Sequence, residues 1–299
     1  MTPMDTAIAR ARARAARVAL IGQGDGTMTA VAARLAELGL SGTTIVGPDG
    51  LTPGDDPRLA AVAGTLRECW PERVRDGIHA LDLAANPLLF AAGLTARGEV
   101  DVCLGGTAVP ADAMEEAARW VTGPDRASRG RGHLAYVPTG DGRLLTMAVP
   151  DSAGPLDARG VAALALNAAD HRSRVLGDTP RVGLLVAPPT LDASHADAEL
   201  AIGLLRELAP GVAASVEWSW SPLEPGDPAR FRHGPNVLIF PDPVTGHLAE
   251  LLLRDAAGLR ARGPLFPGGK WVLAGAPDGA AVEELALIAV LAAAGLAGA

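Results

Sequence analysis

Lysine is almost missing from this chain. Of 26 Lys plus Arg, Lys270 is the one lysine, and Ala and Gly are used heavily alongside arginine. That pattern reads as coding bias, so arginine richness assigns no partner here. Cysteine is scarce as well. Cys69 and Cys103 form neither a CxxC pair nor a metal-ligand spacing, which excludes a cysteine metal site and fits a reduced compartment. Excess positive charge is absent: the formal net charge is -8. A dedicated nucleic-acid binder needs a basic surface to neutralise phosphates, so that class is excluded. Long apolar runs are absent too. The start, "MTPMDTAIARARARAARVALIGQGDG", is basic, but its apolar part, Val18 to Ile21, is too short for a signal peptide. "ELALIAVLAAAGLAGA" at the C-terminus comes closest to a membrane span and is too short and too alanine-rich. The expectation is a soluble, cytoplasmic protein with neither membrane nor nucleic acid as partner.

What is present is a core-forming composition with a rhythm. The 299 residues suffice for two ordinary domains or one large one. With 48% hydrophobic and 20% charged residues the chain can bury a core. Strands are predicted at 17–22, 43–47, 100–106, 142–150, 181–187, 236–240 and 270–275. Between them, helical spacing predicts helices at 29–40, 86–100, 110–121, 157–177, 197–208, 246–257 and 280–297. Asn86-Pro87 suits a helix start and Gly177 a helix stop. Strands alternating with helices imply βαβ units and a mostly parallel sheet, an α/β fold. The stretch 209–235 is rich in Pro and Gly and breaks the rhythm; 50–57 and 123–132 are further loops.

Four segments, in this order, carry a resemblance. They are "NPLLFAAGLTARGEVDVCLGG", "PLDARGVAALALNAADHRSRVLGDTPRVGLLV", "PNVLIFPDPVTG" and "GPLFPGGKWVLAGAPDGAAVEELALIAVLAA". Together they resemble the phosphate acetyltransferase and phosphate butyryltransferase family over most of the chain. The resemblance implies a two-domain α/β architecture with parallel sheets in three layers and helices on both faces. It implies a first domain of 1–147 plus 263–299, to which the C-terminal helix returns, and a second of 148–262. The cleft between them would bind CoA. The implied reaction moves an acyl group between CoA and phosphate. CoA or acyl-CoA and acyl phosphate are then substrates, no cofactor is tightly bound, and the protein is a homodimer.

The chemistry asks for a base near the CoA sulfur and for cations on the phosphate, where arginine binds two oxygens at once. Here the sequence departs from the family. Pro277, Asp278 and Gly279 stand where the family has Ser-Arg-Gly. Glu115 stands near a family arginine, and Gly246-His247 replaces Gly-Asn. The loop "APPTLDASH" has two prolines in place of hydroxyls. The family's acid just inside the last helix is retained as Glu284, beside Glu283. A phosphate facing this set meets more negative than positive charge.

Each candidate has a functional and a plain reading. Glu284 is a base, or an acid favouring a helix dipole. His247 is a base or phosphate contact, or an exposed helix histidine. Lys270 holds a CoA phosphate, or is a solvated strand-edge lysine. Gly105 and Gly106 offer backbone N–H groups to an anion, or make a tight turn. Asp242 and Gly246 belong to the CoA- and phosphate-binding set, or Asp242 caps or ties the turn after 236–240, where Gly246 redirects the chain. Thr190, with Asp192, Ser194 and His195, stands in for the hydroxyl loop, where Asp192 or Ser194 suits a helix cap. Gly279 completes the phosphate-binding set. "GQGDG" at 22–26 lacks the GxGxxG spacing and its distal acid, so it is not a dinucleotide fingerprint. Trp218 and Trp220 alternate on one strand face, core by default. Two functional readings remain: an acyltransferase acting on acyl-CoA, or a catalytically degenerate relative serving as a CoA-binding accessory subunit.

Overall fold

The computed structural model describes residues 1–123, 131–152, 156–186, 195–217 and 234–298. Thr190, Asp192, Ser194, Trp218 and Trp220 lie outside the described residues. The chain divides into two compact units, Met1–Arg126 with Arg262–Ala299, and Ala127–Ala261.

The first unit begins with a helix that the basic N-terminus did not announce, α1 (Pro3–Arg14). Thr2 and Asp5 close a capping box on its first turn. Then follow β1 (Arg17–Ile21), α2 (Thr27–Glu37), β2 (Gly42–Val46), a 3₁₀ turn at Pro53–Asp55, α3 (Leu59–Cys69), α4 (Gly77–Ala84), α5 (Pro87–Ala96), β3 (Val102–Gly105) and α6 (Ala111–Thr122). The strand order is β2-β1-β3, continuing to two strands supplied by the chain's end, β10 (Val272–Ala274) and β9 (Arg262–Pro267). β1, β2, β3 and β10 are parallel, and β9 is antiparallel to β10. The last helix, α10 (Val282–Ala294), is apolar all round after Glu283 and Glu284. Leu285, Ala286 and the run Ile288 to Ala294 are buried, as expected of a helix inside a core. It packs on α1 and α2. No single helix is long and apolar enough to cross a membrane, and Phe90 and Leu94 of α5 are fully buried in this unit's core.

The second unit holds β4 (Gly132–Pro138), β5 (Leu144–Pro150), α7 (Ala158–Leu176), β6 (Arg181–Leu185), α8 (His195–Leu208), β7 (Ala213–Glu217), β8 (Val237–Ile239) and α9 (Pro243–Ala257). Its strand order is β4-β5-β8-β6-β7; β4 runs antiparallel to β5, and the other pairs are parallel. The hairpin β4–β5 pairs from Gly132↔Pro150 to Pro138↔Leu144. The boundary expected at 147 falls inside β5.

A buried polar network fixes this unit. Tyr136 Oη and His171 Nδ1 are 2.8 Å apart and both side chains are fully buried. Nε2 of His171 has no hydrogen-bond partner among the described residues. Burial, with Arg174 adding to it, pushes the His171 imidazole down to about 3 from 6.5. The unfolded chain therefore takes up a proton below pH 6.5 that the folded one refuses until about 3. Folding stability conferred by the neutral ring is full above 6.5 and is lost as pH falls through that window. The slope approaches about 1.4 kcal/mol per pH unit. Urea titrations at pH 6.5 and pH 4.5 are expected to show a drop of about 2–3 kcal/mol that is absent in His171→Gln. Equal drops in both proteins would remove this histidine from the acid response.

Candidate functional site

In parallel α/β sheets ligands gather at the carboxyl ends of the strands, where loops and helix N-termini converge. In the first unit that end carries Gly105 and Gly106 after β3, Gly275 after β10, and the turn Pro277 to Gly279 leading into α10. Gly279 is a true turn glycine: its φ is +67, and Ala280 N donates to the Pro277 carbonyl. Gly105 and Gly106 are tight for another reason. A Cβ at Gly105 would stand 2.8 Å from Met114 Sδ, and one at Gly106 would stand 2.9 Å from Met28 Cε. The space beside both glycines is filled by this unit's own methionines, which draw the strand end against α6 and α2.

Glu283 and Glu284 open α10, where the helix dipole favours negative charge. They are handled differently. Glu283 is exposed and gripped by Arg34, whose Nε lies 2.5 Å from its carboxylate while Nη1 takes Glu37 at 2.8 Å. Those hydrogen bonds hold the Glu283 carboxyl below its usual range. Glu284 is half-buried. One cation whose charge reaches it is one the sequence reading did not single out, Arg262 at the start of β9. Burial pulls the Arg262 guanidinium below the usual arginine range, against the opposing pull of Glu284 first and Glu283 second. Only strand pairing could reveal Arg262, because it lies 22 positions before Glu284 with no local motif linking them.

Lys270 is placed elsewhere. It is exposed in the Gly268–Gly269–Lys270 turn joining β9 to β10, not on the strand predicted from 270. That turn leads into the amino end of β10, whereas the glycine turns follow the carboxyl ends of β3 and β10. Three strand residues at about 3.3 Å each keep the lysine away from Gly279 and Glu284. Glu115 is half-buried and paired with Arg119 one turn along α6. Cys103 is fully buried, and burial pushes its thiol up to about 12, which removes it as a nucleophile.

In the second unit, Asp242 follows β8 and is the N-cap of α9, accepting from Thr245 N at 2.9 Å and from the Thr245 hydroxyl. Partial burial works to raise this carboxyl, but the Thr245 and Val244 hydrogen bonds outweigh it and hold it low. The helix therefore starts at Pro243, three residues earlier than the sequence suggested, because proline suits a first turn. Gly246 is then not the turn. It is buried inside α9, and a Cβ there would stand 2.5 Å from Val149 Cγ1, so its missing side chain lets the helix approach β5. His247 is exposed on α9.

A cavity of about 600 Å³ lies in this unit, lined by Leu145, Met147, Leu185, Leu238, Phe240 and Leu253 among others. None of the sequence-predicted site residues lines it. Among the described residues no cluster of His, Cys, Asp and Glu could hold a metal ion.

No family model matches the sequence. A phosphate acetyltransferase of Paracoccus denitrificans is 28% identical over 291 residues, covering 90% of this chain and 91% of that protein. Among solved structures, a phosphotransacetylase from Streptococcus pyogenes superposes with a TM-score of 0.78 at 17% identity, over 97% of this chain and 98% of the other. The EutD phosphotransacetylase from Staphylococcus aureus gives 0.75 at 17% identity with the same coverage. The likeness in sequence runs nearly end to end and the likeness in fold covers both units, so the chain is similar in sequence to a phosphate acetyltransferase and has the phosphotransacetylase fold.

Proposed function

We propose that this protein transfers an acyl group between CoA and phosphate. The observation that carries this reading is the likeness to a phosphate acetyltransferase along 90% of the chain. In the direction of thioester synthesis, Glu284 takes the proton of the CoA thiol and the thiolate attacks the acyl carbonyl. The carbon–oxygen bond to phosphate then breaks and inorganic phosphate leaves. In the first unit, the backbone at Gly105, Gly106 and Gly279 frames the phosphoryl group. The enzyme works in the cytoplasm as a homodimer, with CoA as substrate and no tightly bound cofactor. Lys270, in the turn at the other end of the strands, and the helix-embedded Gly246 are left out of this frame.

A second reading, a catalytically silent CoA-binding subunit, draws on one observation. Asp278, Glu283 and Glu284 crowd a place that should receive an anion. Mixing the protein with CoA and acetyl or butyryl phosphate, and following the thioester absorbance, separates the two. Turnover above a heat-killed control is the expected result. Its absence at high enzyme concentration, with CoA still bound in a calorimeter, would leave the accessory subunit.

A further inference from the structure

We propose that Arg262 is the phosphate-binding cation of this protein, reaching the start of α10 from the neighbouring strand β9. The inference rests on the acyl-transfer reading above and adds to it the residue that would meet the phosphoryl group.

The geometry begins with β9 and β10. They are in antiparallel register at Leu265↔Ala274, and Gly275 N donates to the Pro264 carbonyl at 2.8 Å. Two residues before Pro264, Arg262 thus opens β9 at the end where β10 gives way to the Gly275–Gly279 turn. The strand β9 packs against the helix that follows, and the Arg262 guanidinium lies within reach of the charge of Glu284 and Glu283 in its first turn. A strand remote in sequence therefore brings positive charge to a turn whose own residues, Pro277, Asp278 and Gly279, supply none.

Three other cations of this unit are held by carboxylates or lie elsewhere. Arg34 is held by Glu283 and Glu37. Arg119 is held by Glu115 and Glu116. Lys270 sits at the far end of β10. Arg262 differs from these: it is half-buried, yet its guanidinium makes no hydrogen bond with any described residue. A guanidinium has five N–H groups in a planar fork that matches phosphate oxygens two at a time. Even a carboxylate beside it engages two of them at most, so donors remain for a second anion. The ligand class is a phosphoryl oxyanion, as inorganic phosphate or as the phosphate end of an acyl phosphate.

The test uses the full-length protein and Arg262→Gln. Steady-state rates are measured with acetyl phosphate and CoA varied separately, and inorganic phosphate is titrated calorimetrically into both proteins. The expected result is a rise of at least about tenfold in the KM for acetyl phosphate and in the Kd for phosphate, with the KM for CoA unchanged. Unchanged phosphate constants in a folded variant overturn the proposal. Should Arg262→Gln fail to fold, Arg262→Lys decides. It keeps the charge and loses the fork, so phosphate affinity falls several-fold if the proposal holds and stays constant if it does not. If the parent protein shows no turnover but binds phosphate, and the variant does not, Arg262 stands and the acyl-transfer reading falls. If the parent neither turns over nor binds phosphate, both fall.

Discussion

Glu284→Gln is expected to lower the turnover of acyl transfer by about 10²–10⁴-fold, the usual worth of a positioned general base. Glutamine keeps the shape of the side chain and its capacity for hydrogen bonds, but it cannot accept the thiol proton. The loss should fall on kcat, because the side chain moves a proton and does not hold the phosphate. The fold should be untouched. The helix is anchored by Leu285, Ala286 and Ile288 to Ala294, all buried, while Glu284 is half-buried in the first turn. Steady-state rates with acyl phosphate, read beside a thermal melt, check this. Unchanged turnover at an unchanged melting midpoint would sink Glu284 as the base. Since the charge of Arg262 is felt by the same carboxylate, the effects of Glu284→Gln and Arg262→Gln should not add; coupled charges seldom behave independently.

Arg172→Met is expected to destabilise the second unit by about 3–5 kcal/mol, the cost of removing one member of a buried charged network. Arg172 is 4% exposed on α7. Its Nη1 donates to the Leu144 carbonyl at 2.6 Å, to Thr146 Oγ1 at 3.1 Å and to the Asn236 carbonyl at 3.1 Å. Nε and Nη2 take Asp178 at 3.0 and 2.5 Å. One side chain thus ties α7 to the start of β5 and to the residue entering β8. Methionine fills similar volume but donates nothing, so buried acceptors lose their partner. Asp178 is partly exposed and regains water, and the Asn236 carbonyl keeps the Thr146 amide, which places the expected loss toward the lower end. Urea unfolding at neutral pH should show a lower midpoint with an unchanged slope. A loss under about 1 kcal/mol would mean that the network contributes little beyond side-chain packing.

Periodicity and punctuation made much of this protein legible before any coordinates. Strands at 17–22, 43–47, 100–106 and 181–187 are all present within a residue or two, because parallel strands that are largely buried read as short apolar or β-branched runs. The helices beginning at Asn86-Pro87 and after Asp157 were set by caps that the structure contains: Asn86 accepts from Leu88 and Leu89, and Asp157 from Gly160. What escaped had its signal masked. β9 is written "RGPLFP" and β7 falls in a Pro- and Gly-rich stretch, both of which read as loop. The helices α3 and α4 went unread between the second strand and Asn86.

By itself the sequence determined the α/β class, the order of the strands and helices it predicted, and the resemblance that named a family. Those are local or serial properties, fixed by neighbouring residues and by side-chain period. Tertiary structure alone decided which end of a strand each candidate occupies and what stands beside it. Strand pairing put Lys270 at the end of its strands opposite the glycine turns, and Arg262 at the end of β9 beside the turn that leads into α10. Packing made Gly246 a point of helix–strand contact instead of a turn. The physical reason is common to all three: where a residue sits relative to a site depends on register and crossover between segments far apart in sequence, and that information is not carried by the residues next to it.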